Sequence, residues 1–271
     1  GSWSLLAAGQ ANDGDFSWHP APVTDQALIR ITHSATSSVW DDTDIVFVIG
    51  PAGHDYYVNI PGDADYSDNE YTSAAGDNTN SGADAAHPMA SLRALINAYD
   101  LEPGDTVWID TGMYNLLASA EIGSADAGIT IRGPVGAGHS ATINRGNPAS
   151  PVLTLTNADY MKVRDLALTG GSIGMYVRTG SSNLSVQGVT IYNNRDTGLY
   201  VEDAASDHTT ITGSVFFGTT GDANTDQNTG LDIRGQHPTV TGNSLYHTLG
   251  SVGYGVYIPD TVTATVTDNQ V

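Results

Sequence analysis

Apolar residues along the second half of this chain recur in short runs that repeat at a regular distance. One class of strand ends at residues 163, 186, 211, 240 and 266, so successive copies lie 23, 25, 29 and 26 residues apart. A second class, with the order glycine, apolar, any, apolar, covers 174–177, 198–201, 230–233 and 255–258. A third class places Leu168, Ile191, Phe216 and Leu245 at equivalent positions. Three classes in one repeat predict coils with three faces, which stack because no single coil buries its apolar side alone.

A different periodicity precedes these repeats. Leu92, Leu95, Ile96 and Tyr99 are spaced at i, i+3, i+4 and i+7, which is one apolar stripe of a helix. The dipeptide Pro103-Gly104 lies a few residues after this stripe and stops the helix. We therefore predict a short helix that caps the N-terminal end of the solenoid.

The first fifty residues contain four strand-like runs, at 3–7, 15–19, 27–32 and 44–49, with polar turns between them. They predict a small antiparallel β segment. Around Trp18, 29–31 and 47–49 the sequence resembles the later half of Ig-like repeats of bacterial surface proteins. The expected organisation is a partial Ig-like β module at 1–50, acidic loops and the capping helix at 51–103, and β-helix coils at 104–271.

Composition agrees with an all-β chain, since 31 glycines and abundant Thr, Asn, Asp and Ser supply turns between β-branched and aromatic residues. The formal net charge is −21, with 30 acidic and nine basic residues. Such a field repels nucleic acid, so we exclude a nucleic-acid partner. The acidic residues keep the protein soluble in one interpretation and hold Ca²⁺ in another.

Several other classes of protein find no support in the sequence. Without cysteine there is no disulfide, thiolate metal site or cysteine nucleophile. The sequence contains no run of about 18 apolar residues, the pattern that would predict membrane insertion. The eight histidines lack an H-x-x-x-H spacing, so nothing in the sequence indicates a zinc site. The oligomeric state stays open.

The segment before the repeats carries a family resemblance. Its matching points are residues 56–59, 76–77, 80–82, Pro88, 91–92, 104–107 and 112–114. They resemble the opening of the pectate-lyase-like β-helix superfamily, and with the repeats the resemblance covers about 56–271. It implies a right-handed parallel β-helix with three strands per coil, in a secreted or cell-surface protein. This fold hosts lyases, epimerases, glycosidases and inert adhesin stalks, so it does not decide the activity.

The second strand class points two columns of side chains outward, because successive residues of a strand alternate between faces. Coils about 4.8 Å apart would merge these columns into one exposed patch. The first column is Tyr176, Tyr200, Asp232 and Tyr257, and the second is Arg178, Glu202, Arg234 and Pro259.

This patch has the chemistry of a polysaccharide site. Tyr176, Tyr200 and Tyr257 offer ring faces and hydroxyls to sugars, and arginine grips a uronate carboxylate through two hydrogen bonds. The alternative is ordinary decoration of a solenoid, with stacked tyrosines and an Arg–Glu–Arg ladder as cross-strand pairs.

Two reactions are compatible with the patch. In β-elimination, Arg178 or Arg234 neutralises a uronate or removes its C5 proton, and a tyrosine donates a proton. The resemblance implies that Ca²⁺ assists such a lyase. In hydrolysis, Glu202 and Asp232 act as a pair, since their diagonal of roughly 7–8 Å lies within the range of about 6.5–9.5 Å for inverting carboxyls.

The coil between 201 and 233 is longer than its neighbours, and its surplus contains oxygen-bearing side chains at alternate positions. Asp222, Asn224 and Asp226 are therefore candidate Ca²⁺ ligands. The alternative is a polar insertion with Asx-turns, and the same two interpretations apply to the acidic tracts at 63–70 and 77–84.

Together these observations predict an extracellular or cell-surface β-helix module that engages a polysaccharide. Catalysis, as a uronate-specific lyase or a related carbohydrate-active enzyme, stays open. The competing hypothesis is a non-catalytic structural stalk or adhesin segment of a large surface protein.

Overall fold

The structure is a computed structural model that describes residues 3, 5–9, 24–33, 35–42, 47–49, 53–218, 227–246 and 254–271. It divides into two compact units, Gly1–Ala52 and Gly53–Val271. The first unit contains β1 Thr24–Ala27, β2 Arg30–Thr32, β3 Trp40–Asp42 and β4 Phe47–Ile49. β1 pairs with β4 and β2 with β3, both antiparallel, which confirms the predicted antiparallel segment. The Ig-like resemblance stays a prediction.

The strand boundaries in this unit differ from those predicted. One strand was expected over 27–32, but the chain forms two strands there because β1 and β2 pair with different partners. Within the run 3–7, the described residues lie outside any strand. The run 15–19 and residues 44–46 lie outside the described residues. Arg30 and Asp42 stand opposite each other and form two hydrogen bonds of 2.6 Å, which anchors the β2–β3 register.

The second unit is a solenoid whose strands form three parallel sheets. The first sheet contains β5 Asp55–Val58, β6 Thr106–Ile109, β9 Thr130–Arg132, β12 Lys162–Arg164, β15 Ser185–Gln187, β18 Thr210–Thr212, β21 Thr239–Thr241 and β24 Thr265–Thr267. The second contains β7 Gly112–Asn115, β10 Ala141–Asn144, β13 Leu166–Thr169, β16 Thr190–Tyr192, β19 Val215–Phe217 and β22 Ser244–Tyr246. The third contains β8 Ala120–Ile122, β11 Leu153–Leu155, β14 Ile173–Val177, β17 Thr197–Val201, β20 Thr229–Ile233 and β23 Tyr254–Tyr257. The predicted parallel β-helix with three strands per coil is confirmed.

The core runs along the inside of the three sheets, because alternate residues of each strand point inward. In the third sheet Met175, Leu199 and Leu231 lie in register on successive strands and are fully buried. Burying such a side chain stabilises the fold by about 1.5–3 kcal/mol. That burial exists only between stacked coils, so the stability of each coil depends on its neighbours.

The predicted helix is also confirmed, as α1 Leu92–Ala98. Its N-cap Ser91 accepts a hydrogen bond of 3.2 Å from the backbone N–H of Ala94, which satisfies one free donor of the first turn. Leu92, Leu95 and Ile96 are buried in the same core as the first coils. A 3₁₀ helix, Ser124–Asp126, lies between β8 and β9. Across the described residues, no helix has the length and apolar character that crossing a membrane needs.

Buried amide side chains secure two corners of the coils. Asn194 accepts a hydrogen bond of 3.0 Å from the N–H of Gly171 and donates to the Gln227 side chain at 3.3 Å. At another corner, Asn243 accepts from the N–H of Ser214 at 2.8 Å. These amides tie residues of different coils together, and their pairing offsets the cost of burying them.

The glycine that recurs in the third-sheet strands lies close to the next coil. A methyl group added to Gly198 would lie 2.6 Å from the carbonyl oxygen of Gly230, and one on Gly174 would lie 2.7 Å from that of Gly198. Both distances are too short for a carbon–oxygen contact. The repeat therefore uses glycine because a side chain would push the coils apart.

We expect Gly198→Ala to lower the free energy of unfolding by about 1–3 kcal/mol, because the added methyl group overpacks the interface between coils. Urea denaturation measures this change. Gly123→Ala is the matched control, since Gly123 has a φ of −107° and open space around its Cβ position. Equal stability of the two variants would contradict the proposed close approach.

Candidate functional site

Four strands of the third sheet carry the predicted patch. Parallel pairing places Tyr176 beside Tyr200, Tyr200 beside Asp232, and Asp232 beside Tyr257. The core residues on either side of each of these positions point inward, so the column itself points outward. The structure thus brings the first predicted column together as expected from the repeat.

The two tyrosines at one end of this column stack. The rings of Tyr176 and Tyr200 have centroids 5.3 Å apart and planes inclined by 11°. The guanidinium of Arg178 lies 5.6 Å from the centroid of the Tyr176 ring, and that of Arg234 lies 5.0 Å from the Tyr200 ring. These neighbours lie against the rings of Tyr176 and Tyr200 and reduce the ring surface that a ligand can reach.

The charges of the second column are paired within the patch. Glu202 accepts a hydrogen bond of 2.8 Å from the Tyr176 hydroxyl, and its other oxygen lies 3.7 Å from Nε of Arg178. Arg234 donates two hydrogen bonds, of 3.1 and 3.0 Å, to the two oxygens of Asp232. Part of the predicted alternative is therefore present, since the tyrosines stack and Arg178 pairs with Glu202 across strands, whereas Arg234 pairs with Asp232 two residues before it. A ligand must compete with these pairs.

The titration of the patch follows from this pairing. Partial burial, together with the hydrogen bond to Glu202 and its charge, raises the pKa of Tyr176 to about 12. Burial also raises the pKa of Tyr200, although the Arg234 guanidinium acts in the opposite direction. The hydrogen bonds to Asp232 raise the pKa of Arg234. The tyrosines thus stay protonated at neutral pH, and Arg234 is better suited to bind an anion than to remove a proton.

The acidic tracts of the second unit use their carboxylates in turns. Asp63 accepts from the N–H of Asp65 at 3.1 Å, and Asp77 accepts from the N–H of Thr79 at 2.8 Å. These are Asx-turns, the alternative to a Ca²⁺ loop. The other candidate ligands, Asp222, Asn224 and Asp226, lie outside the described residues.

Sequence reasoning missed a group formed by Asp207, His208 and His237. The Nδ1 atoms of His208 and His237 lie 3.1 and 3.0 Å from the same oxygen of Asp207. Partial burial opposes the shift, but hydrogen bonds from His237 and from the backbone N–H of His208 lower the pKa of Asp207. The two histidines are one coil apart, with the same 29-residue step that separates the strand ends at 211 and 240. Reading the turn positions through the repeat would have paired them.

Two further surfaces were also missed. On the second sheet Tyr192, Phe217 and Tyr246 form a continuous stack with centroids 5.1 Å apart at each step. On the first sheet Arg132 and Arg164 lie side by side in register, and Lys162 precedes Arg164 on the same strand. Outward alternation in the other two strand classes gives these positions, as it gives the columns of the second class.

The chain is similar to one protein family and to one solved structure. The family described as right-handed β-helix region matches residues 100–271. A search of curated proteins finds no match. Among solved structures, the crystal structure of pectate lyase Pel9A is similar at 12% sequence identity, over 81% of this chain and 79% of that chain, with a TM-score of 0.37.

We expect Glu202→Gln to lower the pKa of Tyr176 from about 12 towards 10, because the substitution removes the negative charge that opposes ionisation of the phenol. NMR of ¹³C-labelled tyrosine rings measures this pKa, and Tyr176→Phe assigns the resonance. Asp196→Asn is the control, because Asp196 forms its ion pair with Arg195. An unchanged pKa in Glu202→Gln would contradict the hydrogen bond described above.

Proposed function

The chain belongs to the right-handed β-helix family, and on that premise we propose that it is an extracellular or cell-surface module that binds an acidic polysaccharide. The ligand lies along the exposed patch of the third sheet, across successive coils. The observation that carries this proposal is the stack of Tyr176 and Tyr200 with Arg178 and Arg234 beside it. The site then consists of hydroxyl groups and guanidinium groups repeated from coil to coil.

Electrostatics support an acidic sugar at this position. The chain has nine basic residues and a net charge of −21, so most of its surface repels a polyanion. In the patch, two arginines balance Glu202 and Asp232. A uronate carboxylate that displaces one of these internal partners gains the same two-hydrogen-bond geometry that Arg234 now makes with Asp232. Because the exchange is between similar partners, we expect modest affinity that weakens as salt increases.

Binding without turnover fits the geometry better than catalysis. The raised pKa of Arg234 disfavours its use as the base of a β-elimination, whereas protonated Tyr176 suits the role of proton donor. For hydrolysis, Glu202 and Asp232 would both have to leave their present partners. We therefore propose that these side chains form a binding surface, which consists of Tyr176, Arg178, Glu202, Asp232 and Arg234. A lyase reaction is the catalytic alternative.

The competing function is a structural stalk or adhesin segment. The observation in its favour is that every charged side chain of the patch is already paired within the patch. Such pairing stabilises neighbouring coils without any ligand. The two functions differ in a single property, the affinity of the patch for glycans.

Ca²⁺ is a separate part of the proposal. In the described acidic tracts, Asp63 and Asp77 accept hydrogen bonds within their own turns, which favours the turn interpretation of these carboxylates. The insertion with Asp222, Asn224 and Asp226 is the Ca²⁺ site that we propose. No step of polysaccharide binding depends on the ion.

We expect the protein to bind uronate-containing polysaccharides and to lose about ten- to a hundredfold in affinity on Arg178→Ala or Arg234→Ala, because each loses hydrogen bonds between charged groups. Affinity electrophoresis and calorimetry with uronate and neutral glycans measure the effect. Ultraviolet absorbance of unsaturated uronates, recorded together with reducing ends, reports turnover in the same samples.

Arg164→Ala is the matched control, since Arg164 also points outward from its strand but lies in the first sheet. It should leave glycan affinity unchanged. Loss of affinity in Arg164→Ala alone would move the site to the first sheet. An absence of binding across the whole panel would favour the structural stalk.

For the insertion, we expect millimolar Ca²⁺ to raise the Tm of the protein and the double variant Asp222→Ala/Asp226→Ala to abolish the increase, because a ligand that binds only the folded state stabilises it. Calorimetry with Ca²⁺ and with chelator measures the shift. Asp65→Ala, in an acidic tract that forms turns, is the control and should keep the Ca²⁺ response. An equal Tm with and without Ca²⁺ in the wild-type protein would contradict the candidate site.

A further inference from the structure

Outside the patch, the structure assembles one compact set of metal-ligating side chains among the described residues. Asp207, His208 and His237 each offer one ligand atom, and these atoms lie within 4.8 Å of one another. Both imidazoles place Nδ1 within about 3 Å of a single oxygen of Asp207. A tetrahedral site with bonds near 2.0–2.1 Å separates its ligand atoms by roughly 3.3 Å. The two nitrogen–oxygen distances are thus already close to the spacing that one small cation requires.

The coil geometry explains why two histidines distant in sequence meet here. His208 and His237 each lie two residues before a strand of the first sheet, and both have left-handed φ, of 57° and 51°. Asn183 and Tyr160 occupy the same turn position in earlier coils, also with left-handed φ. The left-handed backbone conformation is therefore a property of this turn position in each coil and does not depend on histidine. Its repetition stacks the two imidazole rings with centroids 5.1 Å apart.

Backbone hydrogen bonds hold the carboxylate of Asp207 beside the Nδ1 atoms of the two stacked rings. The N–H of His208 donates to Oδ1 of Asp207 at 2.7 Å, and the N–H of Asp207 donates to the hydroxyl of Ser182 at 3.2 Å. The same His208 N–H also lies 2.9 Å from the carbonyl oxygen of Gln236 in the next coil. Main-chain hydrogen bonds thus fix the carboxylate oxygen of Asp207 and the turn that carries it.

We propose that Asp207, His208 and His237 form a binding site for a divalent transition metal. Two imidazole nitrogens and one carboxylate oxygen suit Zn²⁺, Ni²⁺, Co²⁺ or Cu²⁺, whereas Ca²⁺ prefers a shell of oxygen atoms. An ion between the three atoms replaces the contact that the His237 imidazole now makes with the Asp207 carboxylate. The inference is independent of the proposed polysaccharide function.

The bound ion would link two successive coils, because its ligands come from the turns before β18 and β21. Both imidazoles are more than half exposed, at 61% and 55%, and the Asp207 side chain is 35% exposed. The remaining coordination positions therefore face solvent and hold water. Since the ion binds the folded turns, it stabilises the folded solenoid.

The test is a titration of the untagged, chelator-treated 271-residue protein with ZnCl₂. We expect one ion per chain by calorimetry, an increase of Tm with Zn²⁺ concentration, and no equivalent effect of Ca²⁺ through this site. His237→Gln and Asp207→Asn should each weaken Zn²⁺ binding at least about tenfold, because each removes one of three ligands. Addition of Co²⁺ gives a second readout, since its visible spectrum reports nitrogen and oxygen ligation directly.

The matched control is His87→Gln. His87 and Asp84 form a similarly exposed pair with Nδ1 2.9 Å from the carboxylate, but within the described part of the chain they do not belong to a group of three ligating side chains. This variant should bind Zn²⁺ like the wild-type protein. The metal-free Tm of each variant separates loss of a ligand from loss of the fold. Absence of Zn²⁺ binding in the wild-type protein, or binding that His237→Gln and Asp207→Asn leave unchanged, would overturn the proposal.

Discussion

Parallel pairing of equivalent residues in neighbouring coils is the constraint on which the second unit depends. Strands about 4.8 Å apart place each side chain directly over its counterpart one coil away. Inward, this stacks Met175, Leu199 and Leu231 into a continuous core. Near the backbone, it brings Gly198 so close to Gly230 that no side chain fits between them. On the outer surface, parallel pairing creates columns of side chains in which each coil contributes one residue.

The candidate polysaccharide site is a direct product of these columns. Tyr176 and Tyr200 stack because the repeat places a phenol at the same position twice, and Glu202 accepts from the Tyr176 hydroxyl across the two coils. The same contacts that shape the surface also neutralise it. A surface whose charges already satisfy one another stabilises the coils, and a ligand gains only the difference between its contacts and the internal ones.

The turns follow the same rule as the strands. Left-handed residues recur two positions before strands of the first sheet, and in two adjacent coils that position is histidine. His208 and His237 stack as the tyrosines do, but on another corner of the coil, with Asp207 between their Nδ1 atoms. A repeat architecture thus generates local clusters wherever one residue type occurs twice at the same turn, irrespective of the length of chain between them.

The repeat, the three strand classes, the helix over 92–98 and the outward direction of Tyr176 and Tyr200 were determined by the sequence, because periodicity decides which face of a strand is buried. The tertiary structure decided which hydrogen-bond and ion-pair partners the outward side chains have. Arg234 pairs with Asp232 two residues before it, and guanidiniums lie against the tyrosine rings, through side-chain conformations that a pattern does not encode. The repeat brings His208 and His237 to the same turn position, but only the tertiary structure places an oxygen of Asp207 within reach of both imidazoles.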